Sequence, residues 1–139
     1  MKPAISLFLL VFASFLWVAC GQQSQRETDT EVVQTVEPQK FEDLIRLADH
    51  AQVLDVRTPR EYQVGYIPGA DNNNIANAAF VSNAQKLDKN RPVFVYCKTG
   101  VRSAHAAEQL AELGFKEVYN LEGGISNWQR VGLKVEMQP

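Results

Sequence analysis

The chain has 139 residues, 45% of them apolar and 22% charged, with 14 Lys and Arg against 16 Asp and Glu. That is enough for one domain, too apolar for a disordered chain, and its charge of −2 with scattered basic residues excludes a polybasic nucleic-acid binder. Two cysteines exclude a disulfide scaffold and a four-thiolate zinc site, so the placement of Cys20 and Cys97 becomes the question.

The first segment has the layout of an export signal. Lys2 is followed by an apolar run from Ala4 to Ala19, and no charge returns before Arg26. A spanning helix needs about 20 apolar residues, so a signal peptide over 1–19 is the reading and a retained signal anchor its alternative. Val18-Ala19-Cys20-Gly21 resembles the processing site of bacterial lipoproteins, although Trp17 stands where that pattern usually has Leu. The resemblance implies cleavage before Cys20 and lipidation of its thiol. Acyl chains would then hold the protein at the periplasmic face of the cell envelope, each buried methylene contributing about 0.8 kcal/mol. Gly21, which is not acidic, points to the outer membrane. Residues 20–31 supply a polar tether with nothing to bury, and the folded domain is expected over 32–139.

From residue 32 the signals alternate. Val32 to Val36 reads as a strand, and after Pro38 the residues Phe41, Leu44, Ile45 and Ala48 recur at helical spacing. Val53 to Arg57 is the next strand. Thr58-Pro59-Arg60-Glu61 has a cap residue, a Pro at the first helical position and a Glu that completes a capping box, so a short helix starts there and stops by Gly65. Ile67-Pro68-Gly69-Ala70 is a turn. A short strand over 71–75 leads into a helix over 78–87, and Pro92 to Tyr96 is a continuous apolar strand suited to a sheet covered on both faces. Ser103 to Leu113 reads as a helix with Ala104, Ala107, Leu110 and Ala111 on one side, ended by Gly114. Val118 to Leu121 is the last strand, followed by Gly123-Gly124 and a helix carrying Trp128. Such alternation predicts an α/β fold, a mostly parallel sheet between helices in three layers, with ligands beyond the carboxyl ends of the strands.

One loop gathers the chemistry. Cys97-Lys98-Thr99-Gly100-Val101-Arg102 lies between a buried strand and a helix, so successive backbone N–H groups can curl around one point that the helix N-terminus also faces. A thiol there ionises more readily than its reference value of about 8.5 allows. Gly100 permits the tight ring, and Lys98 and Arg102 place positive charge beside an exposed sulfur. The alternative is that Cys97 is a small buried residue at a strand end, as free cysteines often are.

The blocks Leu54-Asp55-Val56-Arg57, Glu61-Tyr62, Gly65-Tyr66-Ile67-Pro68-Gly69-Ala70, the Cys97 loop and Gly123-Gly124-Ile125-Ser126-Asn127-Trp128 occur in the order found in the rhodanese family of sulfurtransferases, which the chain resembles from about Val36 to Val135. The resemblance implies that Cys97 accepts a sulfane sulfur, becomes a persulfide and passes that sulfur to cyanide or a thiol by double displacement. Lys98, Thr99, Gly100, Val101 and Arg102 would bind the terminal sulfur or a donor such as thiosulfate. Asp55 and Arg57 would organise the fold, Glu61 could pair with Arg57 at the mouth, and the Gly-Gly pair and Trp128 would close the core. His50 and His105 read as surface residues.

No metal or organic cofactor is implied. The partners are a small sulfur-containing anion or a protein persulfide or thiol, and the membrane through the N-terminal lipid, with the chain as a monomer. Two other functions stay open. One is a phosphatase or arsenate reductase, whose relatives use a larger loop than the four residues between Cys97 and Arg102. The other is a carrier or non-enzymatic module that binds a partner at the membrane.

Overall fold

A computed structural model describes residues 31–138. The expected signal peptide, the lipidation at Cys20 and all of the tether before Glu31 lie outside the described residues. Among those described, no helix is long and apolar enough to cross a membrane.

The elements run β1 (Val33–Val36), α1 (Pro38–Leu47), β2 (Gln52–Asp55), α2 (Pro59–Gln63), β3 (Ala70–Asn72), α3 (Phe80–Ala84), β4 (Val93–Tyr96), α4 (Val101–Glu112), β5 (Val118–Leu121) and α5 (Gly124–Arg130). The strands form one five-stranded sheet in the order β1-β5-β4-β2-β3, and every pairing is parallel. A parallel sheet needs helices on both faces, and the buried side chains divide by the two-residue period of the strands. Leu54, Val93, Val95 and Val118 face one way, against Phe80 of α3 and Ala106, Ala107 and Leu110 of α4. Val53, Phe94, Tyr96 and Leu121 face the other, against Phe41 of α1 and Ile125 and Trp128 of α5. Phe41 meets Phe94 and Trp128 edge-on, with ring centroids 5.5 and 6.3 Å apart. The fold is the expected three-layer α/β arrangement.

Several boundaries differ from the sequence reading. Helix α4 starts at Val101, two residues before the expected Ser103, because left-handed Gly100 (φ 96°) turns the chain directly into it. Its fully buried positions are Ser103, Ala106, Ala107 and Leu110, so the inward face is rotated from the expected one, and Ala104 and Ala111 are only half-buried. Helix α3 is confined to Phe80–Ala84, where 78–87 was expected, since Asn74 and Asn77 side chains accept backbone N–H bonds and hold turns before it. Strand β3 is short and begins at Ala70, inside the expected turn.

The topology fixes where a site can form. Adjacent strands β2 and β4 send their following helices to opposite faces: Tyr62 of α2 packs on the Phe94 side, and α4 packs on the Val95 side. The chain therefore parts at the carboxyl ends of these two strands, above which α2 and α4 both begin.

Candidate active site

Cys97 follows β4 directly, and Lys98, Thr99 and Gly100 carry the chain into α4. The expected exposed sulfur is not seen: Cys97 is 1% exposed and its side chain joins the cluster beneath α4. The reason is the strand period, which points residue 97 to the same face as Val93 and Val95. The sulfur is nevertheless ringed by donors. The Gly100 N–H reaches Sγ at 3.1 Å and the Ser103 hydroxyl at 3.4 Å. Burial pushes the thiol pKa up, but the Ser103 hydroxyl and the amides of Ser103, Thr99 and Gly100 outweigh it, and the net shift is downward. Ser103 lies in the first turn of α4, where side chains lean toward the helix N-terminus and hence toward the loop. Its one proton has two acceptors within reach, Sγ and the Gly100 carbonyl at 3.2 Å. The sequence reading left Ser103 without a role.

Helix α5 braces the loop from the other side. The Ile125 and Ser126 N–H groups donate to the Cys97 and Lys98 carbonyls at 2.8 and 3.1 Å, so the free amides of a helix start are used on the loop backbone. This contact requires Gly124, whose φ is +61° and where a Cβ would lie 2.5 Å from the Cys97 carbonyl oxygen and from Lys98 backbone atoms. Trp128 enters the core as expected, and Ile125 joins it there, but the Gly-Gly pair lets α5 close on the Cys97 loop, a role its position in sequence did not show.

The acidic and basic residues pair differently from the sequence reading. Arg57 does not pair with Glu61. Its guanidinium binds Asp55 at 2.5–3.0 Å and the Gly65 carbonyl at 2.6 Å, with side chains 6% and 0% exposed. The ring of Tyr96 lies 5.6 Å from the Arg57 guanidinium carbon, and the Tyr96 hydroxyl accepts the Ile67 N–H at 3.0 Å. This buried unit ties β2 and β4 to the α2–β3 connection.

Glu61 binds Arg102, through bonds of 3.0 and 2.7 Å, while completing the expected capping box with the Thr58 N–H and hydroxyl at 3.0 and 2.8 Å. Arg102 chiefly, and Thr58 with it, outweigh burial and hold the Glu61 carboxyl down at about 2. Sequence separation hid this pair; what brings it together is that α2 and α4 both begin above neighbouring strands. Lys98 and Thr99 are exposed, as is Val101. A cavity of about 170 Å³ opens beside the loop, with Arg57, Glu61, Lys98 and Ser126 on its polar walls and Val64 and Ile125 on its apolar ones. Tyr66 stacks on Tyr62 with centroids 4.4 Å apart, and His50 and His105 are exposed as expected. Among the described residues no cluster of His, Cys, Asp and Glu could hold a metal ion.

Comparison with other proteins finds relatives in both sequence and structure. The chain is 35% identical over 124 residues to the protein YqhL of Bacillus subtilis, covering 88% of this chain and 90% of that one. It is 34% identical over 98 residues to the thiosulfate sulfurtransferase GlpE of Pseudoalteromonas translucida, covering 70% and 85%. A rhodanese-like domain protein from Staphylococcus aureus has a similar structure, with a TM-score of 0.65, 28% identity, and 76% of this chain and 99% of that chain covered. A rhodanese-related protein from Thermoplasma volcanium gives 0.66 at 30% identity, covering 76% and 99%. The rhodanese-like domain profile matches residues 37–131, from the turn after β1 to just past α5, and the chain belongs to that family.

Proposed function

We propose that the protein is a sulfurtransferase in which Cys97 carries the sulfur as a persulfide. The observation that carries this reading is the buried Cys97 sulfur facing the Gly100 amide and the Ser103 hydroxyl, with its ionisation favoured despite burial. The thiolate attacks the outer sulfur of thiosulfate. A bond forms between that sulfur and Sγ, the bond to the inner sulfur breaks, and sulfite leaves with the electron pair. Cyanide or a thiolate then attacks the outer sulfur of the persulfide, and Cys97 departs as the thiolate. The ring of donors that lowers the pKa also stabilises the negative persulfide, and Lys98 borders the cavity beside the loop.

The similarity to proteins named thiosulfate sulfurtransferase supports the same reading. A phosphatase role has less support, because only four residues separate Cys97 from Arg102 and both terminal nitrogens of Arg102 are on Glu61. Thiocyanate production from thiosulfate and cyanide tests the assignment. Cys97→Ser is expected to abolish it while leaving the protein folded, at a cost of about 1–3 kcal/mol for a smaller, more polar atom in a buried place where the hydroxyl still meets the same donors. A Cys97→Ser protein that still makes thiocyanate at the original rate contradicts the reading.

The proposal extends to location. The resemblance of residues 1–20 to a lipoprotein signal supports export, cleavage before Cys20, and anchoring of the domain to the cell envelope by a lipid on that cysteine.

A further inference from the structure

Three of the polar side chains on α5 are spent inside the protein. Asn127 donates to the Glu122 carbonyl, Trp128 to the Lys134 carbonyl, and Arg130 to the Asn127 side chain. The side chains of Ser126 and Gln129 make no hydrogen bond among the described residues. They stand three apart on one face of the helix, exposed, in the wall of the cavity of about 170 Å³ beside the Cys97 loop. That wall is bonded to the loop itself, since the Ile125 and Ser126 N–H groups hold the Cys97 and Lys98 carbonyls. A molecule seated in the cavity therefore lies against the backbone that carries the sulfur.

The charges lining the cavity leave one cation over. Arg57 is paired with Asp55, and Glu61 with Arg102, which also interacts with Cys97. Lys98 has no ion-pair partner among the described residues. Outside the lining, Arg60 on α2 and Glu122 before α5 are both exposed, both without such a partner among the described residues, and opposite in sign. The cavity thus offers an ammonium, a hydroxyl and a carboxamide on its polar side, and Val64 and Ile125 on its apolar side. Sites for drug-sized ligands run to roughly 300–1,000 Å³, so this one suits a group the size of a single amino acid.

We propose that Ser126 and Gln129 determine acceptor specificity: with Lys98 they bind the carboxylate and amide of an acceptor thiol, so that the Cys97 persulfide gives its sulfur to a cysteine-type thiol ahead of one without those groups. The inference rests on the sulfurtransferase reading above and adds the residues that choose the acceptor. The Lys98 ammonium and the Ser126 hydroxyl donate to the carboxylate, and the Gln129 carboxamide both donates to and accepts from the amide. The acceptor thiolate attacks the outer sulfur of the persulfide. An S–S bond forms to the acceptor as the bond to Sγ breaks, the hydrogen stays on the transferred sulfur, and Cys97 departs as the thiolate with the electron pair. One thiolate is consumed and one released, so no oxidant or reductant is needed.

The test uses N-acetylcysteine and 2-mercaptoethanol, thiols of nearly equal acidity of which only the first carries a carboxylate and an amide. Protein loaded with sulfur from thiosulfate and freed of excess donor is mixed with each, and loss of the added sulfur is followed by rapid quenching and intact mass. The wild-type protein is expected to unload about tenfold faster with N-acetylcysteine. Ser126→Ala combined with Gln129→Ala should bring the ratio of the two rates close to one. Gln129→Glu should lower it as well, by setting a like charge beside the acceptor carboxylate. If the variants do not fold, the wild-type protein answers the same question: the ratio should fall as ionic strength rises, because the charge of exposed Lys98 is screened. Equal wild-type rates, a ratio unmoved by the double substitution, or a ratio indifferent to salt overturns the inference. A loaded chain that cyanide unloads and neither thiol does overturns it too, while leaving the sulfurtransferase reading intact. Failure of thiosulfate to load Cys97 overturns that reading, and the inference with it.

Discussion

Ser103 and Glu61 show how single side chains set the chemistry of a neighbour. Without the Ser103 hydroxyl the sulfur keeps its burial and loses the donor that offsets it most. Ser103→Ala is therefore expected to move the pH dependence of Cys97 alkylation by iodoacetamide upward and to slow sulfur transfer at neutral pH on the order of tenfold. An unmoved alkylation profile shows that the amides alone set the ionisation. Glu61 has a different signature. Its carboxyl ordinarily titrates at 4.5 and is held at about 2 in the fold, so its contribution to stability is full above 4.5 and is lost as pH falls toward 2. Partial exposure of the pair screens that contribution. Glu61→Gln should lower stability at neutral pH and flatten the decline between pH 4.5 and 2, measured by denaturant unfolding across that range. An equally steep decline in the variant assigns the acid sensitivity to other carboxylates.

At the level of elements, the site depends on α5 lying against the Cys97 loop. Gly124→Ala places a methyl group where the Cys97 and Lys98 backbone stands and forces a side chain onto positive φ. The change should cost about 2 kcal/mol or more of stability and displace the loop, lowering transfer even where the variant is fully folded. Thermal unfolding together with persulfide loading at a temperature below the transition checks this; wild-type loading removes α5 from the account of the site. The same contact explains what was legible beforehand. Strand β4, the α2 capping box and Gly100 followed from local rules, because each is decided by residues adjacent in the chain. The α5 brace, the Glu61–Arg102 pair and the true partner of Arg57 were hidden because they depend on which strands lie side by side. The rotated face of α4 was misjudged by counting alanines, whereas the turn at Gly100 sets the phase of that helix.

On the scale of the whole molecule, the sheet order places the β4 loop at a parting between two helices, and alternation along the chain was enough to predict that such a parting exists. The depth of Cys97 was not legible, since cations and glycine around a thiol suggest exposure while the strand period directs the side chain inward. The lipid anchor is tested by cell fractionation: Cys20→Ala should release the protein from the membrane fraction or leave it unprocessed, and full retention of a processed chain contradicts lipidation. The central claim is that Cys97 bears a transferable sulfur. Intact mass after incubation with excess thiosulfate, then with cyanide, measures this directly. The account predicts one added sulfur on the wild-type chain, removed by cyanide and absent from Cys97→Ser. A wild-type mass that never changes, or an added sulfur that persists in Cys97→Ser, contradicts it.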